Sequence, residues 1–273
     1  MNTSFLSTPD FLSQSFKMYS IIEIPVHILG TYCILFKTPK SMESVKWNML
    51  TIQVFSMISD FMFSVFVCPF FVFPVFAGEF LGIFSDFGVP PGIQVYLMFT
   101  AIFFVSAAIV CLFENRFYLL CAKTSWWRCA RYPFLVAQYI MAFSCFVPVI
   151  LLIPDQKPAL EVLQKKFPQI PFSQYSPSLS IISSDGSAPF YSIVITGTMT
   201  WYENSVPFLT LVLPAFYFRF SMNWSYYNQF LNNLCMIMVS LHGVMSTIMM
   251  ILVHDPYRNA VKSMMDLRGF WRN

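Results

Sequence analysis

A bilayer core offers the peptide backbone no hydrogen-bonding partner, so a crossing segment must be a helix long enough to reach both surfaces. This sequence carries five charge-poor apolar runs that meet the requirement. They are Met18 to Phe36, Asn48 to Ala77, Ile93 to Phe113, Pro133 to Ile153 and Phe230 to Val253. The second is over-long and has Pro69 and Pro74 in its last third. At about 1.5 Å per residue it exceeds a hydrocarbon core of about 30 Å, so tilt, a kink or an end outside the membrane is expected. The third run ends at Glu114-Asn115-Arg116, and the last stops at His254-Asp255-Pro256.

Composition agrees with the runs. Only 11% of the residues are charged and 57% are hydrophobic, where soluble domains carry about 25% charged residues. This excludes a secreted disulfide scaffold, a disordered tail and an ordinary cytosolic enzyme. The net charge of +3 gives no footprint for nucleic acid. The fold class is therefore all-α, a polytopic helical bundle in contact with membrane lipid.

Between the fourth and last runs the pattern breaks down. Residues 154–189 hold six prolines and seven serines and read as a loop. An irregular apolar segment follows at 190–218, interrupted by Thr200-Trp201-Tyr202-Glu203-Asn204-Ser205. Its two halves make about 15 Å and 20 Å of helix, and neither crosses a bilayer alone. Counting the segment once gives six spans.

Lys and Arg in short loops orient membrane helices. The first loop carries Lys37, Lys40 and Lys46, the second carries neither type, and the third carries Arg116, Lys123, Arg128 and Arg131. The N-terminus is then extracellular, as is the 154–189 loop. Six crossings leave the tail, 254–273, outside as well, yet it holds Arg258, Lys262, Arg268 and Arg272. Its charge requires an odd number of crossings. Glu23, Pro25 and His27 interrupt the first run, which reads as a span acting as its own insertion signal and not as a cleaved leader.

Four stretches narrow the class: IPVHILGTYCILFKTPKSMESVKW (24–47), LFENRFYLL (112–120), YYNQFLNNL (226–234) and SLHGVMSTIMMILVHDPYR (240–258). Together they resemble nematode serpentine receptor class H chemoreceptors over residues 18–153 and about 206–265. The pairing of LHG-x-x-ST with PYR is the most diagnostic part. The resemblance implies a seven-transmembrane, G-protein-coupled chemosensory receptor in the plasma membrane of sensory cilia, with a small-molecule ligand, a heterotrimeric G protein as partner and the tail inside. Residues 205–221 resemble the outer part of the family's sixth span. In the family a complete fifth span, a basic third inner loop and the start of the sixth span come before that point. Only Phe190 to Asn204 stands in their place, so roughly fifty residues are absent, at about 20 per span.

Particular residues follow from both readings. Glu114, Asn115 and Arg116 form either a two-state ionic element for G-protein coupling or a charged stop at the membrane edge. Tyr257 and Arg258 of the PYR motif join them as cytoplasmic coupling candidates. Asp60 and Glu23 are intramembrane carboxylates, which by default mark functional sites. Asp60 can bind a cation or simply accept hydrogen bonds within the core, whereas Glu203 reads as a residue stranded by the junction. His242, Asn232 and Asn233 make the last span polar on one side and suit interhelical hydrogen bonding.

The three histidines have no metal-ligand spacing, and no Ser/His/Asp set, Gly-rich phosphate loop, HExxH or CxxC is present. Neither an enzyme nor a cofactor is expected. None of the seven cysteines lies in the long outer loop or near the outer end of span three, so no disulfide joins those regions. Cys121 and Cys129 sit beside Trp126 and Trp127, as reduced thiols or palmitoylation sites. Asn2 and Asn223 head glycosylation sequons, and the second is extracellular only if the chain crosses twice, or not at all, between the long loop and residue 223. Two further functions stay open. One is a shortened, non-signalling variant that acts by associating with related receptors. The other is a six-span channel or transporter, for which neither pore charges nor inverted repeats are visible.

Overall fold

The computed structural model describes residues 5–172, 175, 179–183 and 208–266. Asn2, Glu203 and the 190–207 part of the irregular segment lie outside the described residues.

The chain is a helical bundle with a small sheet at one end. Helix α1 (Pro9–Lys37) begins nine residues before the apolar run. A capping signal explains the early start: Thr8 accepts from the Phe11 amide, Pro9 occupies the first turn and Asp10 faces the positive end of the helix dipole. Helix α2 (Glu43–Phe61) continues into a π turn at Met62–Phe66 and stops there. The expected 48–77 span is thus helical only through residue 66. The remainder forms strand β1 (Pro69–Phe71), paired antiparallel with β2 (Ala77–Phe80) in the register Pro69↔Phe80, Phe70↔Glu79 and Phe71↔Gly78. Pro69 and Pro74 cannot donate to a helix ladder, and the aromatic and β-branched residues around them suit a hairpin.

A short helix α3 (Ile83–Asp86) leads to α4 (Pro91–Phe117), which is prolonged by a π turn at Tyr118–Ala122. Helix α5 (Trp127–Ser144) is separated by a break at Cys145–Phe146 from α6 (Val147–Leu151). The 154–189 loop contains helix α7 (Gln156–Lys166) and strand β3 (Ser180–Ile181), which adds to β2 as the third strand. Helices α8 (Phe208–Trp224), α9 (Gln229–Ser240), α10 (His242–Val253) and α11 (Asp255–Asp266) complete the described chain.

Hydrogen bonds define two ends of the bundle. At the N-terminal end, Gln229 and Asn232 donate to the hairpin carbonyls of Phe71 (2.9 Å) and Phe73 (3.1 Å). Asn233 donates to the Leu6 carbonyl at 3.0 Å. Gln156 brackets Ile181, accepting from its amide at 2.7 Å and donating to its carbonyl at 3.1 Å. The seven cysteines are all free, so the sheet performs the tying that a disulfide does elsewhere. Phe70, Phe71, Phe73 and Phe76 are buried within it, and Phe73 stacks on Phe218 of α8 at 4.4 Å.

At the opposite end gather Lys37, Lys46, Arg116, Arg131 and the start of α11. Asn115 donates to the Ser44 carbonyl at 3.0 Å, and the Tyr257 hydroxyl lies 2.8 Å from Thr38 Oγ1. Among the described residues, α1, α2, α4, α5–α6 and α9–α10 run from one end to the other. By length and apolar character, Pro9–Lys37, Lys40–Phe66 and Pro91–Ala122 can each cross a membrane, as can α9 and α10 if the pair, bent by 42°, is one span. Arg128 and Arg131 in the first turns of α5, and the break after it, set α5–α6 apart.

Helix α8 behaves differently. Its Tyr217 hydroxyl donates to Asn232 Oδ1 at 2.9 Å, so it runs antiparallel to α9 from the N-terminal end. At about 1.5 Å per residue its first turn lies level with the α9–α10 bend, half-way down the bundle. Ser183, bonded to the Phe76 carbonyl, and Ser225 after α8 are therefore both at the N-terminal end. The last helix pair leads from that end to the basic one and delivers the tail beside the first loop. Among the described residues, the start of the tail helix thus lies at the basic end.

The tail helix is anchored by packing. Tyr257 is fully buried against Cys33, Ile34, Val45, Met49 and Ile251. Tyr257→Phe should cost about 0.5–1.5 kcal/mol through the lost Thr38 bond. Tyr257→Ala should cost about 3–5 kcal/mol as a cavity forms. Thermal unfolding of the detergent-solubilised variants measures both.

Candidate functional site

The centre of the bundle is polar. Tyr19, Glu23 and His27 recur every fourth residue, so α1 presents them on one face. Asp60 and Ser64 face them from α2 and its π turn. Asp60 is almost fully buried and accepts three hydrogen bonds, from Tyr19 Oη (3.2 Å), His27 Nε2 (3.1 Å) and the Gly243 amide (3.1 Å). Gln53 Nε2 lies 3.0 Å from His27 Nδ1, and since the amide nitrogen can only donate, Nε2–H of His27 faces Asp60. Thr247 Oγ1 lies 3.1 Å from Gln53 Oε1 and 2.9 Å from the Gly243 carbonyl, and its single hydrogen is shared between these acceptors. Ser64 donates to Glu23 Oε2 at 2.7 Å.

The bend at Leu241 makes this arrangement possible. By ending one helix and starting the next, it leaves the Gly243 amide in the first turn of α10, unclaimed by the helix and aimed at a carboxylate. Glycine is required at two contacts. A Cβ on Gly243 would lie 2.2 Å from Asp60 Oδ2, and one on Gly30 would lie 2.4 Å from Thr247 Cγ2. Helices α1, α2 and α10 meet here because two side chains are missing.

His242 is buried next to Gly243 in the chain. Asn232 and Asn233 are not part of the central cluster; they lie about three turns away along α9–α10. Both are buried, but their bonds go chiefly to the hairpin and the N-terminal turn, with Tyr217 of α8 as the interhelical partner. Linear spacing suggests no metal site, yet folding brings one ligand atom each from Glu23, His27 and Asp60 within 4.8 Å of one another.

A second cluster lies at the basic end. Glu114 is buried and accepts from Arg131 Nη2 (3.0 Å) and Trp127 Nε1 (2.9 Å). Arg131 also lies 3.4 Å from Asn115 Oδ1, with its guanidinium stacked 4.0 Å from the Tyr118 ring centroid. The carboxylate of the triplet is thus taken by α5, while Arg116 is exposed and has no ion pair among the described residues. Partial burial, and then the Arg116 charge, hold His254 below its ordinary pKa. Tyr257 is a core residue and not an exposed contact. Arg258 caps α10 through the Leu252 carbonyl (3.0 Å) and pairs with Asp255. Asn223 is exposed at the N-terminal end of the bundle.

The serpentine type 7TM GPCR chemoreceptor Srh family model matches residues 7–205 and 200–267. The chain belongs to that family. Serpentine receptor class H-72 of Caenorhabditis elegans is 22% identical over 304 aligned positions, which take in 95% of this chain and 87% of that protein. The Srh match is made in two pieces that meet at 200–205, the same polar cluster that interrupts the apolar segment. Since the alignment has more positions than this chain has residues, the relative carries material without a counterpart here. Srh membership makes the chain a multi-pass membrane protein of chemoreceptor type, not a member of an enzyme family.

Sequence reasoning singled out Asp60, Glu23 and Glu114 but missed the partners His27, Gln53, Gly243, Thr247, Trp127 and Arg131. The four-residue spacings of Tyr19-Glu23-His27 and of Trp127-Arg131 were the available signals. Gly243→Ala should displace Asp60 and cost about 1–3 kcal/mol by overpacking. A clear drop in the melting temperature of the purified chain would show this; an unchanged value would remove Asp60 from its role at the bend.

Proposed function

We propose that the chain is a chemosensory receptor of the sensory-cilium plasma membrane, which binds a small molecule and couples to a heterotrimeric G protein. Its N-terminal end faces the outside and its basic end the cytoplasm, as the Lys and Arg distribution favours. The observation that carries the coupling reading is the division of the triplet at the basic end. Glu114 is occupied by Arg131 and Trp127, while Arg116 remains exposed. A buried ion pair beside an unpaired arginine forms a two-state element that a partner can bias. Asn115 supports it by joining α4 to the first loop. Tyr257 and Arg258 contribute indirectly by fixing the tail helix. Asn223, exposed at the N-terminal end, and the Asn2 sequon suit glycosylation. Exposed Ile21, Ile22, Ile28 and Phe36 along α1 suit contact with lipid or with a related receptor.

Arg116→Ala should abolish basal guanine-nucleotide exchange on a co-expressed G protein without changing surface expression. Exchange equal to that of the unmodified chain would defeat the coupling reading.

A specific observation favours a second reading. The family match breaks at 200–205, where most of a fifth span and its inner loop are expected. A chain shortened there would not signal and would act only by associating with relatives. The two readings share one topology, in which a tag after residue 273 is cytoplasmic. Labelling of that tag in intact cells would refute it.

A further inference from the structure

One atom of the central cluster is left out of its hydrogen bonding. Glu23 Oε2 receives Ser64, but Glu23 Oε1 has no partner, and the residue is fully buried. A carboxylate oxygen in that position is normally satisfied by a donor or a cation. The neighbours point to a cation, because one oxygen of Glu23, one ring nitrogen of His27 and one oxygen of Asp60 lie within 4.8 Å of one another. His27 Nε2 and Asp60 Oδ2 are already 3.1 Å apart. Two ligands of a tetrahedral zinc ion, each about 2.0–2.2 Å from it, are separated by about 3.4 Å.

We propose that Glu23, His27 and Asp60 bind one divalent transition-metal cation of the zinc class in the middle of the bundle. Charge selects the valence. Two carboxylates and a neutral imidazole balance a double positive charge, whereas a monovalent ion would leave a net negative charge in a low-dielectric interior. The donor set selects the class, since an imidazole nitrogen suits zinc and its neighbours and is foreign to calcium and magnesium sites.

The surrounding bonds accommodate both states of the histidine. To ligate through Nε2, His27 must move its proton to Nδ1, and Nδ1–H then needs an acceptor. Turning over the Gln53 amide presents Oε1 to Nδ1–H and the amide nitrogen to Thr247 Oγ1. The Thr247 hydrogen, released from Gln53, then goes wholly to the Gly243 carbonyl. Gln53 thereby becomes the outer partner that orients a ligating imidazole. The ion would join α1 to α2 at the point where α2 already meets α10. This proposal does not depend on G-protein coupling.

The test uses the full chain, purified in detergent, stripped of metal and carrying Cys121→Ser and Cys129→Ser to remove the two exposed thiols. Equilibrium dialysis against zinc chloride should give one zinc per chain, and zinc should raise the melting temperature. Magnesium and calcium should do neither. Glu23→Gln preserves the acceptor for Ser64 and should weaken zinc binding at least tenfold, as should Asp60→Asn. Absence of bound zinc, or unchanged binding in Glu23→Gln, overturns the proposal. Should a variant fail to fold, X-ray absorption of the zinc-loaded parent chain decides. One imidazole with oxygen neighbours supports the site, and a sulfur shell refutes it.

Discussion

A buried carboxylate on α2 organises the bundle. Asp60 lies where water cannot solvate it, so the protein must supply donors, and each donor comes from an element that must pass close by. Tyr19 and His27 bring α1, and the Gly243 amide brings α10. The amide is available only because the last span is broken at Leu241. The contact is close enough only because residue 243 has no side chain. Bend, glycine and carboxylate are thus one device, and the relative positions of three helices follow from it.

The two ends of the bundle use different means. At the N-terminal end, amide side chains on α9 grip the backbone of a hairpin that two prolines have diverted from a helix. A third strand from the long loop widens it into a sheet. At the basic end a carboxylate, an arginine and a tryptophan join α4 to α5, and a buried tyrosine seats the tail helix. One end is held chiefly through main-chain carbonyls and aromatic packing. The other relies on an ion pair and a buried tyrosine.

Much of this was legible in the sequence, because bilayer-length apolar runs allow few alternatives. The helical class and the polar side of the last apolar run followed directly. The 48–77 run misled because hydropathy alone cannot tell a helix from a buried hairpin; the prolines carried that information. The early start of α1 was missed for the opposite reason, since its cap is polar and a search for apolar runs passes over it. Asp60 and Glu114 could be singled out as costly charges, but their partners lie on other helices. Only the turn-spaced Tyr19-Glu23-His27 series hinted at which face would answer Asp60. The place of the tail helix beside the first loop could not be read from hydropathy, because it depends on how α9, α10 and Tyr257 pack.

Ser183, just before residues 184–207, and Ser225, just after α8, lie at the same end of the bundle. Whatever length of chain joins them, the helices before and after keep their directions. Insertion or loss of residues that keeps both points on one side changes the content of the segment without inverting the last span or moving the tail to the opposite face. In a helical membrane protein, where one lost crossing ordinarily reverses everything downstream, such a segment is a place where a lineage can shorten its chain and still insert the rest correctly.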